Sequence, residues 1–279
     1  MWREEGKKPI GQYLFYAFGI SWCSIALVVL VERLHLFTGM AEKGGVMMII
    51  GFGAGMAPLY ATYIILKKYS QITGVKEFIK RILRCDNKKV AAVALIGCMA
   101  YQLLKCILTE EYEGYPWYFF ILLLFVMIIG GGLEEVGWRG FLQPALEEKL
   151  GFIPATLVMG VIWAVWHAPL WLVNNANQKG FNFLSFATYC VVFSFTLAML
   201  YRVSKSVLCV ILLHAWGNVV LGGMYSFGAL INLPGKSHWI LFGIEVVAAT
   251  AIVFLIDRKS LSNNRNFHSS FGTNSIIHS

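Results

Sequence analysis

Apolar residues run in long stretches along the whole chain, broken by short polar segments. Runs of eighteen or more recur, each able to cross a hydrocarbon core of about 30 Å as a helix rising about 1.5 Å per residue. They predict eight spans, at roughly 10–31, 44–66, 90–108, 117–141, 153–173, 182–202, 207–228 and 238–256. Such runs exclude a closed barrel, so the fold class is all-α, a polytopic transmembrane helical bundle. The first run is too long for a signal-peptide core and ends at Val31-Glu32-Arg33 with no small-residue cleavage pattern, so it is expected to remain as a span.

Between the spans, Gly74 to Arg84 places Val75, Phe78, Ile79 and Ile82 at helical spacing among Lys76, Lys80, Arg81 and Arg84, which predicts a short interfacial helix on an anionic leaflet. The tail from Ser260 is rich in Ser and Asn and lacks periodicity, so it is expected to be disordered. The organisation is then 1–116, three helices with a basic loop; 117–228, a core of helices four to seven; 229–257, the last span; and 258–279, a cytoplasmic tail. No fixed-period repeat is visible.

Composition agrees: 58% of the 279 residues are hydrophobic and 14% charged, against about a quarter charged in a soluble domain. The net charge of +8 invites a nucleic-acid partner until its placement is read. Basic residues gather at 7–8, 67–89, 202–205 and 258–259, all on one side of the alternating model. The other side holds Arg33, Lys43, Lys179 and Lys236 with the acidic Glu110, Glu111 and Glu113. Both termini are therefore expected in the cytoplasm, and the charge reports topology rather than nucleic acid. Size and simplicity suggest a multi-pass protein of a bacterial inner membrane. The six cysteines lie in spans or the basic loop and read as free thiols.

An ionisable residue within a span costs at least a few kcal/mol, so each is a functional candidate. The set is small: Lys105, Glu134, Glu135, Arg139, His167, His214 and Glu245. Glu135 and Arg139 are four apart and share a helical face, suited to an ion pair, while Glu134 is rotated by about 100° and points elsewhere. Trp163 shares a face with His167, with Pro169 weakening the helix beyond. His214 and Asn218 are again four apart. A Glu can take a proton from water, a His can assist, and a His-x-x-x-Asn pair can donate hydrogen bonds to a carbonyl oxygen becoming an oxyanion.

These strings, Glu134-Glu135-Val-Gly-Trp-Arg139, Trp163-x-x-x-His167 and His214-Ala-Trp-Gly-Asn218, resemble the ordered signature of the CAAX prenyl endopeptidases and bacteriocin-processing and self-immunity proteins, a family of intramembrane proteases. The second departs at one position, Trp163 standing where Phe is usual, which predicts altered packing with catalysis intact. The resemblance implies Glu134 as the base that activates water with His167 as partner, His214 and Asn218 as the oxyanion site, and Glu135 with Arg139 as its support. It also implies a peptide or membrane-protein substrate within the lipid bilayer. Oligomeric state is not indicated. Glu134, His167 and His214 would suit a zinc ion with one open position, although no His-Glu-x-x-His helix is present.

Counting from the span ends puts Glu134 about 10 Å, His214 about 11 Å and His167 about 20 Å from the inner boundary, which predicts a cavity open to the cytoplasm. Lys105 and Glu245 lie outside the signature and are expected to pair with other polar groups. Two rival readings remain open, a proton-coupled transporter and a non-catalytic immunity or scaffold protein.

Overall fold

A computed structural model describes residues 9–36 and 39–272. Among the described residues, eight helices are long and apolar enough to cross a membrane: Ile10–Arg33, Gly44–Lys68, Lys88–Thr109, Tyr118–Leu150, Phe152–Leu172, Phe183–Ser204, Val207–Met224 and Lys236–Lys259. Among the described residues there is no strand, only isolated bridges at Tyr112, Leu221 and Tyr225.

The first span is α1 (Ile10–Arg33). The second joins α2 (Gly39–Met48), a π-helical segment Ile49–Gly55 and α3 (Ala57–Lys68). The short α4 (Val75–Ile82) occupies the expected interfacial stretch, its Phe78 buried against Tyr63 with ring centroids 5.3 Å apart. At the start of α5 (Lys88–Thr109), the Asn87 side chain accepts from Val90 N at 3.1 Å and so satisfies an otherwise orphaned donor.

The fourth span is the least regular. α6 (Trp117–Gly130) ends in a run of three glycines; a 3₁₀ turn Gly132–Glu134, a single α turn α7 (Glu135–Gly137) and a π segment Trp138–Leu142 precede α8 (Gln143–Leu150). Gly137 is required by close approach: a Cβ there would lie 2.3 Å from Tyr13 Oη and 2.5 Å from the Pro58 carbonyl, so α1 and α3 pack directly on this turn.

Gly151, at φ +75°, turns the chain into α9 (Phe152–His167). The α9 helix gives way to a 3₁₀ segment Ala168–Leu172 at Pro169, which has no N–H to continue the ladder. A short 3₁₀ turn at Asn177–Gly180 leads to α10 (Phe183–Ser204), capped by the Asn182 side chain. Then follow α11 (Val207–Val219), a π segment Val220–Met224, the short α12 (Gly228–Ile231) and α13 (Lys236–Gly272). With no Gly or Pro between Gly243 and Gly272 to stop it, the last helix runs on through residues 258–272; residues 273–279 lie outside the described residues.

Side chains at the two ends of the bundle sort as the charge pattern does. At the basic end Lys68 donates to Gln12, and Arg202 pairs with both Glu147 and Asp257. At the other end Glu32 accepts from the Asn174 and Asn175 backbone, and Glu110 gathers Ser226, Ala229 N and His238.

Lys105 and Glu245 do pair, with each other: Nζ lies 2.8 Å from Glu245 Oε2, and Glu245 Oε1 accepts from Gln102 and Thr196. Both are under 5% exposed, tying α5, α10 and α13 together. Glu245→Ala strands a buried ammonium and should cost about 3–5 kcal/mol, whereas replacing both partners by apolar residues, as in Lys105→Met with Glu245→Leu, should recover most of it. Thermal aggregation midpoints of the purified proteins check this; equal midpoints for Glu245→Ala and the parent would contradict it.

Candidate active site

Glu134 and Glu135 diverge as their rotation requires. Glu135 and Arg139 are wholly buried, joined by a 2.9 Å bond from Nη1 to Oε1. Arg139 Nη2 donates to Ser194 Oγ at 2.8 Å, and the Ser194 hydroxyl donates to the Cys190 carbonyl. Glu135 Oε1 also lies 2.8 Å from His214 Nδ1, a contact across 79 positions of sequence. A carboxylate with an Arg donor on the same oxygen accepts, so the His214 Nδ1 carries the proton and Nε2 keeps the lone pair of the neutral ring.

Glu134 turns the other way, to two indoles. Its Oε2 accepts from Trp163 Nε1 at 3.0 Å and from Trp138 Nε1 at 3.4 Å. Trp163 therefore does more than preserve an aromatic at that position, because a Phe has no N–H to offer this carboxylate. The ring also packs edgewise on His167 and His214, with centroids 5.8 and 5.2 Å away, and lies under the Arg139 guanidinium at 5.2 Å. The expected pairing of Glu134 with His167 is not a direct hydrogen bond. His167 Nδ1 instead donates to the Trp163 carbonyl at 2.8 Å, which leaves Nε2 as an acceptor in the neutral ring.

Glu134, Trp163, His167, His214 and Asn218 all line one cavity of about 370 Å³; Glu135 and Arg139 stand behind its wall. Gly131 lies against two of these side chains. A Cβ there would lie 2.4 Å from Asn218 Nδ2 and 3.1 Å from His214 Nε2, so those two nitrogens converge over a backbone with no side chain. Gly131, Trp138 and Ser194 are site residues the motif spacing did not single out. Trp138 was within reach, being one turn from Glu134 on the same face.

The cavity does not open at the basic end, as depth counting from residue 141 suggested. The fourth helical rod continues to Leu150, so Glu134 lies at its middle. Toward the basic end Val136, Trp138, Arg139, Phe141, Leu142 and Gln143 are each at most 1% exposed, a closed floor. The walls instead lead to Asn175, Asn177 and Gln178 at the opposite end.

Zinc fits this geometry poorly. Among the described residues no three His, Cys, Asp or Glu side chains are grouped to hold a metal ion, and Glu134 Oε2 is taken by indole N–H groups that a cation would repel.

Two comparisons bear on the same residues. The stretch 116–220 matches the family model described as Type II CAAX prenyl endopeptidase Rce1-like. CAAX prenyl protease 2 of Methanococcus maripaludis is 28% identical over 238 residues, covering 77% of this chain and 84% of that protein. The matched stretch runs from the start of α6 to the end of α11 and holds all three motifs. Through that core, the chain is similar to the Rce1-like CAAX prenyl endopeptidases.

Proposed function

We propose that the chain is an intramembrane endopeptidase that hydrolyses a peptide bond of a membrane-associated protein or peptide, with Glu134 as base. One observation carries the reading: Glu134, His167, His214 and Asn218, drawn from three separate spans, line a single cavity inside an otherwise apolar bundle. The two indole donors fix the Glu134 carboxylate through Oε2 and leave Oε1 to face a water. That water also donates to His167 Nε2. As its oxygen adds to the carbonyl carbon, its proton passes to Glu134; the C–N bond then breaks and the proton moves on to the leaving amine.

The developing oxyanion takes a hydrogen bond from Asn218 Nδ2. His214 supplies a second donor when its ring carries both protons, with the Glu135 carboxylate alongside to balance the charge. Asn218 is thus the unconditional donor of the pair, a distinction the motif alone does not make.

Comparative proteomics of cells carrying the parent or Glu134→Gln tests the reading. We expect at least one membrane-associated polypeptide to accumulate uncleaved with Glu134→Gln, and likewise with the His167→Ala, His214→Ala double variant. Identical peptide termini in all three strains would contradict it. A narrower prediction concerns Gly131→Ala. The Asn218 amide is the end of a flexible side chain and can swing away, so the protein should fold normally while cleavage falls about 10²–10³-fold, as for loss of one oxyanion donor. Turnover of one peptide by both purified proteins, with their melting midpoints, measures this.

A further inference from the structure

The direction of the cavity says which side of the membrane supplies the substrate. On each wall the lining residues run from the level of Glu134 and His214 away from the basic end: Ser21 then Ile25 along α1, His167 then Leu170 beyond α9, Asn218 then Leu221 beyond α11. None of the residues that carry the basic-end ion pairs, Glu147, Arg202 and Asp257, takes part in the lining. The route ends at a rim of amide side chains, Asn175, Asn177 and Gln178. That rim is held in place rather than loose, since Glu32 on α1 accepts from Asn174 N at 2.8 Å, Asn175 N at 3.3 Å and Asn175 Nδ2 at 3.2 Å.

Behind the rim the walls are apolar, with Ile25, Ile50, Leu170, Phe181, Phe186 and Phe227. A cationic or anionic side chain would find no partner on these walls and would be desolvated at a cost of several kcal/mol. Backbone amides of an extended peptide, by contrast, meet both donors and acceptors at the rim. Because basic loops stay in the cytoplasm, the rim lies outside.

We propose that the scissile bond reaches Glu134 from the extracytoplasmic side, carried on an uncharged, apolar segment of a polypeptide that enters past Asn175–Gln178. This rests on the endopeptidase reading and adds to it the side of entry and the character of the substrate. Water for hydrolysis enters by the same mouth, since the floor is closed.

The test uses the full chain with single cysteines added at the exposed Asn177 and, as the opposite marker, at the exposed Lys89 at the start of α5. A charged, membrane-impermeant maleimide is applied to spheroplasts and to inverted vesicles, and labelling is read as the increment over the parent chain with its native thiols. Asn177→Cys should label at least tenfold more in spheroplasts, and Lys89→Cys at least tenfold more in inverted vesicles. Labelling Asn177→Cys only in inverted vesicles overturns the sidedness. The purified proteins are then assayed in detergent against a quenched-fluorophore library of apolar and charged decapeptides. Attaching a bulky maleimide to Asn177→Cys should slow Glu134-dependent cleavage at least tenfold, and apolar members should be favoured at least tenfold. Undiminished cleavage with the mouth blocked, or preference for charged members, overturns the route or the substrate class while leaving the endopeptidase standing. Cleavage by Glu134→Gln equal to the parent instead removes the endopeptidase reading itself, whatever the labelling pattern.

Discussion

Glu134→Gln should abolish measurable peptide cleavage, lowering turnover by about 10²–10⁴-fold, the usual contribution of a positioned general base. The same substitution should leave the amount and melting of the protein unchanged. A glutamine is isosteric, and its carbonyl oxygen can still accept from the Trp163 and Trp138 indoles that hold Glu134 Oε2 at 3.0 and 3.4 Å. What it loses is the capacity to take a proton from water. Single-turnover cleavage by matched amounts of both proteins reads the difference. A drop accompanied by loss of folded protein would mean that Glu134 is structural.

Arg139→Ala should behave in the opposite sense, with folded protein lost before catalysis can be measured. Its guanidinium is wholly buried, bonded to Glu135 and Ser194 and stacked on Trp163. Removing it leaves the Glu135 carboxylate buried with only His214 beside it, at a cost of about 3–5 kcal/mol. Arg139→Lys should recover only part of this, because an ammonium cannot reach Glu135 and Ser194 with the fork geometry of a guanidinium. Yield after membrane extraction and the midpoint of thermal aggregation check both variants; a parental midpoint for Arg139→Ala would show that the ion pair is dispensable.

Run length alone made the eight spans legible, because backbone polar groups in hydrocarbon must be satisfied within each segment and only long apolar helices do this locally. Helical periodicity likewise made the Glu135 and Arg139 pair legible, and the divergence of Glu134 from it. Four features have no such local signature. The bond from His214 to Glu135 joins distant elements and has no local signature. The alternation of 3₁₀, α and π turns from Gly132 to Leu142 shifts side-chain directions in a way that 3.6-residue counting does not register. The opening of the cavity does not follow from a span ending at residue 141, because the rod continues through α8 to Leu150. The hydrogen bond from Trp163 was hidden for a different reason: the usual Phe directs attention to ring shape, and the indole N–H becomes visible only once Glu134 is in view.

Addition of a Glu134-activated water to a peptide carbonyl leaves a solvent oxygen in the new carboxyl terminus. The most direct measurement is cleavage of a peptide by the purified protein in ¹⁸O-enriched water, with mass analysis of the new carboxyl terminus in parent and Glu134→Gln. The parent should give a product carrying one solvent-derived oxygen, and Glu134→Gln should give no product on the same timescale. Product from Glu134→Gln at the parental rate, with the same label, would contradict the account.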